Sequence, residues 1–251
     1  MPTSVLPALR LDEVTVRFGG LVAVDSISME IAPGQRWAVI GPNGAGKTTL
    51  FRTVSGEQIP TSGSVALFDE DITQKPPHKR AHRGIGRTYQ ITNLFLELTV
   101  EDNVMIAAQG LSRSRYVSWL PVRHKGPFRE QVHWALEQVK LSDKRTTLVN
   151  EMSHGEQRQL ELAMGLASKP RLLLLDEPAA GLSASERVLM RRLIEELPRD
   201  LTLVLIEHDM ELALEVVEWV LVLDNGKMIA SGPPDEIRQN ETVHAVYLKS
   251  D

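Results

Sequence analysis

Residues 41–48, GPNGAGKT, satisfy the pattern G-x-x-x-x-G-K-[ST] at every fixed position. Such a string holds phosphate for separable reasons. Glycines allow a turn tight enough for successive backbone N–H groups to converge on phosphate oxygens. The helix opening at Thr48, Thr49, Leu50 and Phe51 adds partial positive charge at its N-terminus. Lys47 adds a full charge for the β- and γ-phosphates of a nucleotide, and the Thr48 hydroxyl is placed to ligate Mg²⁺. The candidate cradle is therefore Gly41, Asn43, Gly44, Ala45, Gly46, Lys47, Thr48 and Thr49. A glycine-rich strand-to-helix turn that binds nothing is the plain alternative. The apolar stretch Trp37, Ala38, Val39, Ile40 just before the loop argues against it.

A second chemical signal is LLLLDE at 172–177, a buried strand pattern ending in two carboxylates. In open α/β sheets, ligands collect at the carboxyl ends of strands. Asp176 is then a candidate Mg²⁺ ligand, direct or through water, and Glu177 a candidate base that orients and deprotonates the attacking water. Alone, such a pair is as readily an acidic strand end facing solvent; the phosphate loop elsewhere in the chain gives it its weight.

These groups need a scaffold, and the hydrophobic pattern supplies one. Residues 9–18, 22–31, 37–40 and 64–68 read as strands separated by turn residues such as Gly19-Gly20 and Pro33-Gly34. From about 98 to 168 the pattern is helical. Val132, Ala135, Leu136 and Val139 share one face, and Leu160, Ala163, Met164 and Ala167 repeat the spacing. Beyond that, strand 172–175, a helix marked by Met190, Leu193, Ile194 and Leu197, and strand 201–206 follow in turn. Strand–helix–strand order implies right-handed crossovers and a mainly parallel sheet. The irregular stretch 110–128 carries Arg113, Arg115, Arg123, Lys125, Tyr116 and Trp119, and reads as a solvated loop or as a surface near lipid or a membrane partner. The basic run 75–87 reads as a solvated turn and helix.

Composition narrows the classes. A length of 251 residues suffices for one core with a small subdomain. The net charge of -5 argues against a nucleic-acid binder. No cysteine is present, which removes disulfides and thiolate metal sites and fits a reducing compartment. The first residues lack a signal-peptide pattern, and no apolar run approaches the ~20 residues of a spanning helix.

With these motifs in this order, the chain resembles the ABC-type ATPases over nearly its whole length. Ser153 to Gln157 with Met152 (MSHGEQ) is similar to the family signature LSGGQ, Gln90 to the Q-loop glutamine, His208 to the switch histidine, and Phe18 to the aromatic that stacks on adenine. The resemblance implies a P-loop α/β fold. Its parts would be a mostly parallel core sheet, an N-terminal antiparallel β subdomain and an inserted helical subdomain, with 1–90 and 169–251 as core and 91–168 as the helical part. It implies ATP and Mg²⁺ as cofactors and ATP hydrolysis as the activity. It also implies a head-to-tail dimer in which Ser153 and Gly155 of one subunit receive the γ-phosphate held by the other. Lys47 and His208 would stabilise transition-state charge, Glu177 would act as base, and Gln90 would sense Mg²⁺ and water alongside Thr48 and Asp176. Ser153-x-x-Glu156 is also a capping box, so a helix start with an exposed Ser Oγ and Gly N–H is the local structure expected there.

Two departures stand out. His154 replaces the first signature glycine, and Ser183 stands where the D-loop of the family carries aspartate; Ser183-x-x-Glu186 reads as another capping box. The segments SHGEQR, EPAAG and IEHDM, with the tail from Pro233 to Leu248, resemble the ATP-binding subunits of branched-chain amino acid importers, and to a degree those of urea and short-amide importers. That implies a second ATPase subunit, identical or paralogous, two transmembrane permease subunits and, indirectly, a solute-binding protein, with no nucleic acid. The expected location is the cytoplasmic face of the inner membrane, peripherally held. An ATPase of lipid or lipopolysaccharide export shares the phosphate loop and length. A non-transport ABC protein would carry paired ATPase halves or a long coiled coil, and a GTPase would show NKxD; none of these is in the sequence.

Overall fold

Leu9, Leu11, Val14 and Val16 change parity midway, so an ideal strand through them would turn half its apolar side chains outward. The computed structural model, which describes residues 6–88, 94–110 and 128–247, resolves this with a bulge. Strand β1 (Leu9–Phe18) pairs antiparallel with β2 (Leu21–Ile31), and the register shifts between Leu11 and Val14, where Glu13 sits at φ 45°. All four apolar residues are buried as a result. On its other edge β1 pairs antiparallel with β4 (Ser62–Leu67), which pairs with β5 (Glu70–Asp71). This is the expected antiparallel subdomain.

The chain divides into two compact units, 1–83 with 199–251, and 84–198. The first holds this antiparallel sheet and the strand that leads to the phosphate loop, β3 (Arg36–Ile40), buried at all five positions. Strands β8 (Thr202–Ile206) and β9 (Trp219–Asp224) flank β3 in parallel, with Val39 beside Ile206 and Ile40 beside Val222. Strand β10 (Lys227–Gly232) closes that side antiparallel to β9. Continuous apolar runs are what strands covered on both faces require. Trp37 and Trp219 pack with ring centroids 5.7 Å apart. The unit's helices are α1 (Lys47–Ser55), α2 (Pro77–Ala81), α7 (Met210–Val216), α8 (Pro234–Arg238) and α9 (Glu241–Tyr247).

The basic run 75–87 departs from the solvated turn expected of it. Arg80 is fully buried. Its guanidinium donates to the carbonyls of Thr53 (2.7 Å) and Val54 (2.9 Å) in the last turn of α1, and to those of Thr73 (2.9 Å) and Lys75 (2.8 Å). Five fixed donors on a planar fork match four converging carbonyls, as an ammonium would not. Burial pushes its pKa down to about 10, with Asp71 acting the other way, so it stays charged at neutral pH.

In the second unit, β6 (Ile85–Arg87) pairs in parallel with β7 (Leu172–Asp176), Arg87 beside Leu174. Helices α3 (Val100–Gln109), α4 (Arg129–Gln138) and α5 (His154–Leu166) pack on one another, and α6 (Ala184–Glu196) follows β7. Their core is Val104, Met105, Val132, Leu136, Leu160 and Ala163; the last four lie on the two faces the periodicity marked, while Met164, grouped with them in the sequence, is only half-buried. Two buried polar side chains are paired within it: Gln159 Nε2 donates to Val139 O at 2.8 Å, and Asn103 bridges Phe95 and Thr99. No helix among the described residues is long and apolar enough to cross a membrane.

Candidate functional site

Strand β3 ends at Ile40 and α1 starts at Lys47, so residues 41–46 form the strand-to-helix turn that phosphate binding needs. Gly41 (φ 150°) and Gly46 (φ 103°) hold backbone angles that L side chains rarely adopt. Each also lies against main chain. A Cβ on Gly41 would strike the carbonyl oxygen of Leu223, and one on Gly46 that of Ala23. The turn between β9 and β10 braces the loop from behind. Gly226 N–H donates to Ala45 O (3.0 Å), and Asp25 N–H donates to Gly226 O (2.8 Å). The loop is thus shaped by its own glycines and by two neighbouring strands, and a preorganised set of amides orders less on binding.

Lys47 is buried, and its ammonium folds over the loop, donating to Gly41 O (2.6 Å) and Pro42 O (2.9 Å). Asn43 and Gly44 are exposed at the loop tip; Thr48 and Thr49 occupy the first turn of α1. Phe18 ends β1 half exposed, and β2, paired with it, runs back to Ala23 beneath Gly46. His208 is exposed two residues after the end of β8, the parallel neighbour of β3. The first unit therefore holds the loop, the aromatic and the histidine. Tyr247, in the last described turn of the chain, is mostly buried. Burial pushes its phenol up to about 12, with the Gly41 backbone N–H opposing that shift.

In the second unit Asp176 and Glu177 close β7, both buried. Arg87 Nη2 pairs with Asp176 Oδ2 at 3.0 Å, both side chains nearly sealed from solvent. The Asp176 N–H is donated to Thr88 Oγ1 at 3.3 Å. Glu177 sits at φ 50°, a left-handed backbone that costs a non-glycine residue about 1 kcal/mol or more, and Ala180 N–H donates to its carbonyl at 3.1 Å. Gln90 lies outside the described residues, as does most of the 110–128 stretch.

Helix α5 begins as the capping box read from the sequence. Glu156 N–H donates to Ser153 Oγ (3.3 Å), and Ser153 N–H to Glu156 Oε2 (3.0 Å). Lys144 pairs with Glu156 and is the main cause of that carboxylate's lowered pKa. Helix α6 repeats the device with Ser183 and Glu186. One expectation is overturned: Gly155 does not present a free N–H. The residue is buried, and its amide donates to Glu186 Oε1 at 3.1 Å, because α6 starts against the first turn of α5.

Mg²⁺ takes oxygen donors, commonly one or two carboxylates completed by phosphates and water. Asp176 and Thr48 offer a carboxylate and a hydroxyl. Among the described residues no group of three or more His, Asp or Glu side chains could hold a metal. Thr48 in the first unit and Asp176 in the second are each oxygen donors of a type that Mg²⁺ accepts. Arg87, Glu186, Gly226 and Tyr247 were not picked out as site residues from the sequence. Their partners lie 89, 31, 181 and 206 positions away; Arg87 stood three residues before Gln90, Glu186 in a capping box and Tyr247 in the C-terminal tail motif, but none of those local patterns shows the distant contact.

Comparison with known proteins agrees with this construction. Residues 24–180 match the ABC transporter family, and residues 227–248 match a family described as branched-chain amino acid ATP-binding cassette transporter. The high-affinity branched-chain amino acid transport ATP-binding protein BraF of Pseudomonas aeruginosa is 37% identical, over 96% of this chain and 98% of that protein. LivG of Escherichia coli, which carries the same description, is 35% identical over the same shares. A crystal structure of the ADP conformation of an ATP-binding cassette of an ABC transporter superposes with a TM-score of 0.87 at 28% identity, covering 96% of this chain and 98% of that one. A nucleotide-free cassette gives 0.86 at 27% identity over the same shares. A glycine loop braced by two strands, two carboxylates closing a buried strand and a family match across most of the chain lead to one assignment: this protein belongs to the ATP-binding cassettes of ABC transporters, which hydrolyse ATP to power transport.

Proposed function

We propose that this cassette pairs with a second ATPase subunit around two Mg-ATP and drives two transmembrane permease subunits for uptake of branched-chain amino acids or related small amides. A solute-binding protein would deliver the substrate, and the cassette would sit at the cytoplasmic face of the inner membrane. The observation that carries the reading is the phosphate loop, with its backbone fixed by Leu223, Ala23 and Gly226 and Lys47 laid across it. The descriptions of BraF and LivG support the substrate class.

In this reading Phe18 stacks on adenine while the amides of 41–46, with Lys47, Thr48 and Thr49, hold the phosphates. Thr48 and Asp176, with Gln90, hold Mg²⁺, which when bound offsets phosphate charge. Glu177 takes the proton of the attacking water, and His208 stabilises charge developing on the γ-phosphate. Ser153 and Gly155 receive the γ-phosphate held by the other subunit. Residues 91–168 dock the permeases and respond through Gln90. Affinity purification from the native membrane, with identification of the co-purifying subunits, tests the proposal. Permeases and an amino-acid-binding protein are expected; lipid-export subunits would overturn the import reading. With the complex in hand, Gln90→Ala should keep basal ATP hydrolysis and lose stimulation by the permeases.

A further inference from the structure

The N-terminus of α5 is already engaged by an anion from this same chain. Glu186 divides its two carboxylate oxygens between two helices. Oε2 accepts from Ser183 N–H (2.9 Å) and Ser183 Oγ (2.6 Å), closing the cap of α6. Oε1 accepts from Gly155 N–H (3.1 Å) in the first turn of α5. The contact is close enough that a Cβ on Gly155 would strike Oε1. Beside it, His154 Nε2 lies 3.1 Å from where a Cβ on Gly181 would stand, so the loop between β7 and α6 also packs on the start of α5. Both departures from the family pattern, His154 and Ser183, fall within this cluster.

We propose that Glu186 is a positioning residue, a latch that ties the start of α5 to the loop 178–183 and that the incoming γ-phosphate of the partner subunit displaces. This rests on the function proposed above, in which that helix end receives phosphate. The carboxylate and the phosphate compete for one amide, and as like charges they repel at close range. Release of Glu186 from Gly155 frees the loop that begins at Glu177, whose left-handed backbone is held through Ala180 N–H. Arrival of nucleotide from the partner is thereby coupled to the setting of the proposed base, a link the absent D-loop aspartate does not make here.

Chemistry separates the latch from the cap. Glutamine keeps one acceptor oxygen and satisfies a capping box, but then turns its NH₂ toward the Gly155 N–H. Glu186→Gln therefore retains the α6 cap and opens the latch, whereas Ser183→Ala loses the cap hydroxyl and leaves the Gly155 contact. In the ATPase pair as isolated, carrying Glu177→Gln to block hydrolysis, size-exclusion chromatography against ATP concentration reads closure. Glu186→Gln should close at an ATP concentration lower by about 3- to 10-fold, the range for one ordinary hydrogen bond at a solvent-accessible helix end. Binding of a fluorescent ATP analogue to the unpaired chain should be unchanged, and so should closure of Ser183→Ala. An unshifted or raised ATP requirement in a folded Glu186→Gln chain overturns the latch, and so does an equal shift in Ser183→Ala. Pairing that never responds to ATP while the analogue still binds overturns the proposed dimer function instead.

Discussion

Lys47 holds two carbonyls of its own loop, so its removal takes away both a phosphate charge and an internal tie. Lys47→Ala should weaken ATP binding by about 10- to 100-fold, the span of one strong charge-assisted hydrogen bond, as read by titration with a fluorescent nucleotide. Unchanged affinity would refute the cradle. Glu177→Gln should slow hydrolysis by roughly 100-fold or more while leaving ATP binding intact, as expected when a positioned base is lost; a normal rate would remove Glu177 from that role. At this scale the sequence was most legible where a motif is contiguous. The loop 41–48 lies between the strand and helix its composition called for. It was least legible where a side chain's job is set by a distant neighbour. Arg80 looked like one more solvated cation and is instead the buried tie between α1, α2 and the β4–β5 ribbon. Gly155 looked like a free amide and is engaged by Glu186.

Helix α1 is short, and its C-terminal carbonyls end on Arg80 rather than in water. A cation there complements the helix dipole whose opposite end faces the phosphate loop. Arg80→Met would leave those carbonyls buried and unpaired, and should lower unfolding stability by about 3 kcal/mol in urea titration. A loss below about 1 kcal/mol would mean that water replaces the guanidinium. Helix α5 carries a pH-dependent cap. The folded pKa of Glu156 lies below its ordinary value of 4.5, chiefly through Lys144 and then through the Ser153 amide. Its contribution is therefore complete above that value and is lost as pH falls through the folded pKa. Glu156→Gln should flatten the acid limb of the thermal melting profile, and an unchanged acid limb would contradict this. The helices themselves were readable because their apolar faces repeat at helical spacing. Their starts were readable because serine and glutamate three apart have few other uses.

Across the whole molecule, the candidate chemistry is spread over both units: the loop, Phe18 and His208 in one, Asp176, Glu177 and the α5 start in the other. Nucleotide binds the folded chain and not the unfolded one, so Mg-ATP at 100 times its dissociation constant should add about 2.7 kcal/mol. For a chain of this size that raises the melting temperature by about 5–10 °C, a rise that Lys47→Ala should cut to about half or less at the same nucleotide concentration. The α/β class and six of the strands followed from period and turn residues, and the subdomain layout from the family resemblance; the order of strands within each sheet did not. The bulge at Glu13 was forced by parity but could not be located without the partner strand. The brace behind the phosphate loop has a consequence for synthesis. Residues 41–46 leave the ribosome well before Leu223 and Gly226, which brace them from far along the chain. A growing chain therefore carries the nucleotide motif long before it owns a finished binding surface, and this motor cannot engage its fuel until the turn at Gly226 has been made and folded back.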